Sequence, residues 1–303
     1  MKKLPYGISN YEELITDGYY YVDKTMYIEK LENTPEKRII FLRPRKFGKT
    51  LFTSTLENYY DILKVDKFNA LFSETYIGKN PTKLKNSYYI LKFNFSGIDT
   101  SSTEETLNGF KREVASSIQV FVEKYGLDFF VNIEDEAEGI LDNLIKSFSI
   151  QNPNSKLYVI IDEYDHFANE LLGFRTNEFK NLVSKNGKVR KWYEILKKGT
   201  ESVIDRIFIT GVAPITLDSL TSGFNISSDK TKSFTFNEMM GFTQSELITM
   251  LDNLEITKKE QNTILPIMKE NYDGYKFSVN ATEKLYNSNM CLYFLNEHLE
   301  QRK

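Results

Sequence analysis

The sequence predicts an α/β fold, a mainly parallel sheet between two helical layers, with a small, mainly helical C-terminal domain appended. Short apolar runs alternate with stretches whose apolar residues recur at helical spacing: RIIFL at 38–42, YYILKFNF at 88–95, LYVII at 157–161 and IFI at 207–209. Two of these runs end in polar or small residues, Asp162-Glu163 and Thr210-Gly211, so the expected strands deliver chemistry at their carboxyl ends. From Thr243 the apolar stripe becomes helical throughout, which sets the expected boundary between residues 1–239 and 240–303.

In chain order, Tyr19 to Val22 form an aromatic and β-branched run, and Asp23 is placed to cap a helix through Met26, Ile28 and Leu31. Arg38 to Leu42 is the first strand, and beyond Gly48 the residues Leu51, Phe52, Leu56, Tyr59 and Leu63 mark a helix. Tyr88 to Phe95 is the second strand, followed by amphipathic helices over Thr103 to Tyr125 and Ala137 to Ser147. Leu157 to Ile161 has the unbroken apolar character of a central parallel strand. A helix over Trp192 to Lys198, a strand at Ile207 to Ile209 and a further strand at Ser233 to Phe236 complete the sheet portion. Thr243 with Glu246 forms a capping box ahead of Leu247, Met250 and Leu251. A helix from Lys258 is expected to end or kink at Pro266, and Leu292 to Leu299 forms the last helix.

Composition bounds the function classes. With 303 residues, 41% hydrophobic and 27% charged, the chain is long and apolar enough to bury a large core without disulfides. A net charge of −3 excludes the global basic excess of a constitutive nucleic-acid binder, leaving only local patches. The single cysteine, Cys291, and two histidines exclude an internal disulfide and the usual zinc spacings. The start, MKKLPYGISNYEEL, lacks the apolar stretch of a signal peptide, and no apolar run is long enough to span a bilayer. The expected setting is cytoplasmic, with no membrane partner.

The segment RPRKFGKT, Arg43, Pro44, Arg45, Lys46, Phe47, Gly48, Lys49 and Thr50, matches the P-loop pattern except that Arg43 stands at the first glycine. Such a loop turns backbone N–H groups onto phosphate oxygens at a helix N-terminus. Lys49 would neutralise the β- and γ-phosphates of ATP, and Thr50 would place its hydroxyl on Mg²⁺. In LYVIIDE, Asp162 is positioned for the Mg²⁺ shell and Glu163 for orienting the attacking water, an arrangement of ATPases with an additional strand between the two motifs. Thr210 ends its strand where a γ-phosphate sensor would sit. Asp165 and His166 extend the acidic cluster without a required role, and Tyr164 reads as packing. Arg175, Arg190 and Arg206 are the arginine-finger candidates, with Arg206 expected ahead of its strand. No NKxD base-reading motif is present, which favours ATP over GTP.

With these motifs in place, the sequence resembles the bacterial AAA-ATPase-like family, whose members often carry a PD-(D/E)XK nuclease-like domain after the ATPase portion. The likeness runs through LPYGISNYEEL, YYYVDKTMYIEKL, FLRPRKFGKTL, VIIDEYD, FITGVAPI, MMGFTQSEL and YDGYKFS in that order. In that family the loop is itself RPRRFGKS-like. The resemblance implies that Lys49 and Thr50 meet phosphates and Mg²⁺, that Asp162 and Glu163 form the acidic pair, that Thr210 matches the sensor strand, and that Asp23 to Thr25 line the adenine side. No nuclease residues are carried over, since the chain stops at Lys303. The expected partner is a nucleotide, with a homo-oligomer and a DNA or protein partner as further expectations. Beside the ATPase stand two alternatives: a nucleotide-dependent switch or scaffold with little hydrolysis, and a nucleic-acid-associated module of a defence or mobile-element system.

Overall fold

The computed structural model describes residues 2–168, 187–214 and 225–301. The first helices are α1 (Tyr11–Thr16) and α2 (Met26–Glu32), followed by strand β1 (Arg38–Leu42) and helix α3 (Lys49–Tyr60). A 3₁₀ turn at Ile62–Lys67 leads into the short helices α4 (Phe68–Phe72) and α5 (Tyr76–Lys79). Then come β2 (Tyr89–Asn94), α6 (Thr103–Tyr125), α7 (Ala137–Gln151), β3 (Leu157–Asp162), α8 (Lys188–Gly199), β4 (Ile204–Gly211) and β5 (Ser228–Asp229). Three helices close the described chain: α9 (Gln244–Asn253), α10 (Lys258–Tyr272) and α11 (Ser288–Glu300).

The five strands form one sheet in the order β2-β3-β4-β1-β5, every pair parallel. β4 therefore lies between β1, which feeds the RPRKFGKT loop, and β3, which ends at Asp162. Side chains alternate faces along each strand, as the pleat requires. Ile40, Leu42, Leu91, Phe93, Val159, Ile161, Ile207 and Ile209 join a core with α6, α7 and α8. Ile39, Phe41, Ile90, Tyr158, Ile160 and Phe208 join another with α2, α3 and α4. Full burial of each such side chain stabilises the fold by about 1.5–3 kcal/mol relative to exposure. Both faces are covered, which is why the strands read as continuous apolar runs.

A third core unites the two ends of the chain: Leu4, Tyr20 and Val22 pack with Phe242, Leu247, Met250, Leu251, Leu292 and Leu295. The capping box of Thr243 and Glu246 is present as expected. No helix among the described residues is long and apolar enough to cross a membrane.

Four local expectations are corrected. Thr25, not Asp23, is the N-cap of α2. Asp23 instead accepts hydrogen bonds from the Thr25 N–H at 2.8 Å, the Thr25 hydroxyl at 2.6 Å and the Tyr76 N–H at 2.6 Å. Ser233 to Phe236 is no strand: Phe234–Phe236 is a 3₁₀ turn, and the edge pairing with β1 is made earlier, at Ser228–Asp229. Pro266 does not end its helix, because the buried stripe Gln261, Ile264 and Met268 spans it and outweighs one missing backbone donor. Arg206 lies within β4, not before it.

Candidate functional site

At the carboxyl end of β1 the chain turns through Pro44 to Phe47 and enters α3 at Gly48, whose φ of 88° is the left-handed conformation glycine adopts without steric cost. The N–H groups of the first helical turn have no intrahelical partners; the Phe52 N–H, bonded to the Gly48 carbonyl at 3.0 Å, is the first to close. Inside the turn lies the Lys49 ammonium, 4% exposed, donating to the carbonyls of Arg43 at 3.2 Å and Pro44 at 3.3 Å. Glu163 Oε1 sits 3.5 Å from the same ammonium. Glu163 is itself held at a φ of 50°, a conformation that costs a side-chain-bearing residue about 1–2 kcal/mol and that aims its carboxylate into the cleft.

Asp162 is fully buried beside this pair. One carboxylate oxygen accepts the Glu163 N–H at 3.0 Å, while Oδ2 has no hydrogen-bond partner among the described residues. Burial raises its pKa, and the Thr50 hydroxyl, Lys92 and Lys49 draw it part of the way back. A buried carboxylate oxygen without a partner, next to a threonine hydroxyl, is a donor set suited to a hard divalent cation of the Mg²⁺ kind. Lys49, Thr50, Asp162 and Glu163 are thus brought together.

Other expected site residues are placed elsewhere. Arg43 is 1% exposed, and its guanidinium donates to the carbonyls of Leu42 and Thr231 at 2.8 and 2.9 Å and of Phe236 and Asn237 at 3.1 and 3.2 Å. It is sandwiched between the rings of Phe41 and Phe277, 4.0 and 3.8 Å from their centroids. Burial pushes its pKa down to about 9, with Asp229 the main charge opposing the shift. The residue replacing the first glycine is a structural anchor under the loop. Thr210 is also buried, its hydroxyl donating to the Phe41 carbonyl across the β1–β4 pairing at 2.9 Å. A parallel neighbour carbonyl at that distance satisfies the hydroxyl inside the sheet. Asp23 is occupied by Thr25 and Tyr76 as above. Arg206 lies near the start of β4 among Tyr60, Tyr158 and Tyr88, at the opposite end of the sheet; burial opposes a rise in its pKa that the three tyrosines nonetheless produce. Arg190 pairs with Glu194 on α8, and Arg175 lies outside the described residues.

Several further residues border the site. A cleft is lined by the polar Lys49, Thr50 and Glu163 and by the apolar Ile8, Tyr21, Val22, Phe242, Met250 and Leu292. Lys24 at its margin donates to Glu246, with the closer oxygen at 2.5 Å, and to the Glu238 carbonyl at 2.9 Å. The outer side of the loop is held by the C-terminal residues. The Gly241 N–H donates to the Phe47 carbonyl at 3.2 Å, the Asn287 amide to the Arg45 carbonyl at 3.3 Å, and both the Asn289 N–H and the Ser288 hydroxyl to the Lys46 carbonyl at 3.2 Å. A side chain at Gly241 would meet the Phe47 ring at 2.9 Å. Asp165 also has a structural part, accepting the N–H groups of Val212 and Ala213 beyond β4, the closest contacts at 3.0 and 2.6 Å.

A family model described as "AAA-ATPase_like: Predicted AAA-ATPase" matches residues 5–221. The chain is also similar to a protein described as "Uncharacterized protein in vnfD 5'region" from Azotobacter chroococcum mcd 1, 24% identical over 258 residues, a span that covers 81% of this chain and 44% of that protein. The chain therefore matches less than half the length of that relative.

Proposed function

Since the chain belongs to the AAA-ATPase-like family, we propose that it binds ATP in the cleft beside the Arg43 to Thr50 loop and hydrolyses it with Mg²⁺. The observation that carries this is the meeting of Lys49, Thr50, Asp162 and Glu163 at the carboxyl ends of parallel strands, with β4 between the two that supply them. The first-turn N–H groups of α3 and the Lys49 ammonium receive the phosphates. Thr50 and Asp162 hold the cation, which when bound neutralises charge building on the transferred phosphoryl group. Glu163 leaves Lys49 as the phosphates arrive and orients the attacking water. The apolar wall of Tyr21, Val22, Met250 and Leu292 takes the base, and residues 240–303 act as a lid-like unit over it. Arg43 and Thr210 shape the loop from inside the fold without touching nucleotide.

Turnover and calorimetric binding test this together. Glu163→Gln is expected to keep ATP affinity within a few-fold and to lose about a hundredfold or more in kcat. Lys49→Ala is expected to lose nucleotide affinity. Unchanged turnover in Glu163→Gln overturns the catalytic assignment. The ion pair between Glu163 and Lys49 favours one alternative, a nucleotide-dependent switch in which phosphate binding releases Glu163 without efficient hydrolysis; tight binding beside undetectable multiple turnover would select it.

A further inference from the structure

We propose that Arg45 is a catalytic residue of this site, supplying from within the same chain the positive charge that stabilises the transferred γ-phosphoryl group; this rests on the ATPase reading above. Charge in phosphoryl transfer is spread over the equatorial oxygens of the moving group, and a guanidinium matches two of them at once where an ammonium is a point charge. Lys49 is bound deep in the loop by the Arg43 and Pro44 carbonyls. A second cation, on the side of the loop nearer Glu163, would complete the site.

Most of the described arginines are committed elsewhere. Arg43 is buried under the loop with its guanidinium on four carbonyls. Arg206 sits among tyrosines at the far end of the sheet. Arg190 pairs with Glu194, Arg112 with Glu105, and Arg38 donates to the Thr200 carbonyl. Arg45 is exposed, and its side chain has no hydrogen bond or ion pair among the described residues.

Its position gives it reach. The Pro44 carbonyl and the Glu163 carboxylate both lie on the Lys49 ammonium, at 3.3 and 3.5 Å. Arg45 is the next residue after Pro44, one peptide link away, and carries its guanidinium on a long flexible stem. The main chain there is already fixed: the Arg45 carbonyl accepts from the Asn287 amide, and the following carbonyl from Asn289 and Ser288. A rotamer change along that stem would carry the guanidinium over a bound γ-phosphate while these main-chain bonds stay in place.

The test separates ground-state binding from transition-state binding. In Arg45→Ala, ADP affinity should stay within about twofold of wild type, because the group acts on the γ-phosphate alone. The kcat should fall by about a thousandfold, the lower end of the effect of such an arginine. Affinity for ADP with aluminium fluoride, a mimic of the transition state, should fall in parallel, and Arg45→Lys should recover part of both. Wild-type kcat in Arg45→Ala overturns the assignment and leaves the ATPase reading standing. A loss of ADP affinity as large as the loss of kcat overturns it in favour of simple phosphate binding. Wild-type protein that shows no ATP turnover overturns both readings.

Discussion

Asp162 is fully buried, and one of its oxygens has no hydrogen-bond partner among the described residues. Burial raises its pKa, so the folded chain holds this proton to a higher pH than the unfolded chain does. The stabilising contribution of the protonated form is complete below the unfolded value and is lost as pH rises through the folded one. Above that range the ionised group carries a cost, which the proposed cation would offset. Asp162→Asn should therefore leave the ligand-free protein as stable as wild type or more so, by about 1 kcal/mol, while abolishing the extra stability conferred by Mg·ATP. In wild type, Mg·ATP affinity should weaken as pH falls toward the raised pKa. Thermal unfolding with and without Mg·ATP across acidic to neutral pH checks both; a destabilised ligand-free variant would contradict the first.

The junction of β1 with α3 depends on Arg43, whose planar fork bonds carbonyls from Leu42, Thr231, Phe236 and Asn237 and lies between Phe41 and Phe277. Arg43→Met keeps much of the volume but removes the guanidinium's hydrogen bonds to the four carbonyls, and is expected to cost about 3 kcal/mol in chemical denaturation. Arg43→Lys should recover little of it, since an ammonium cannot bridge the carbonyls and stack between two rings. Equal stability of the methionine variant and wild type would refute the anchoring role. The strands and long helices around this junction were legible because burial on both sheet faces writes itself as apolar runs, and α6 as a repeating stripe. The helices α4 and α5 were not, since elements of four or five residues have too few turns to show a period. The strand expected at Ser233 to Phe236 failed because a short aromatic run suits a turn that buries Phe236 and exposes Phe234.

Across the whole chain, the third core joins Leu4, Tyr20 and Val22 to helices α9 and α11, and the cleft lies where those segments meet the loop. A nucleotide filling it would contact the start, the middle and the end of the sequence together. Saturating Mg·ATP at a hundred times Kd should add about 2.7 kcal/mol to stability in one cooperative transition, and Lys49→Ala should lose that gain. Calorimetric scans with and without nucleotide measure it; an unchanged midpoint in wild type would exclude binding. The sequence by itself determined the α/β alternation, the loop with Lys49 and Thr50, and the strand ending in Asp162 and Glu163, because each depends on residues close together in the chain. Tertiary structure alone decided that Arg43 and Thr210 are consumed inside the fold, that the Arg45 side chain has no partner among the described residues, and that residues near both ends wall the cleft. A side chain's partner is set by what packs across from it, and three of the four carbonyls that claim Arg43 come from residues nearly two hundred positions away.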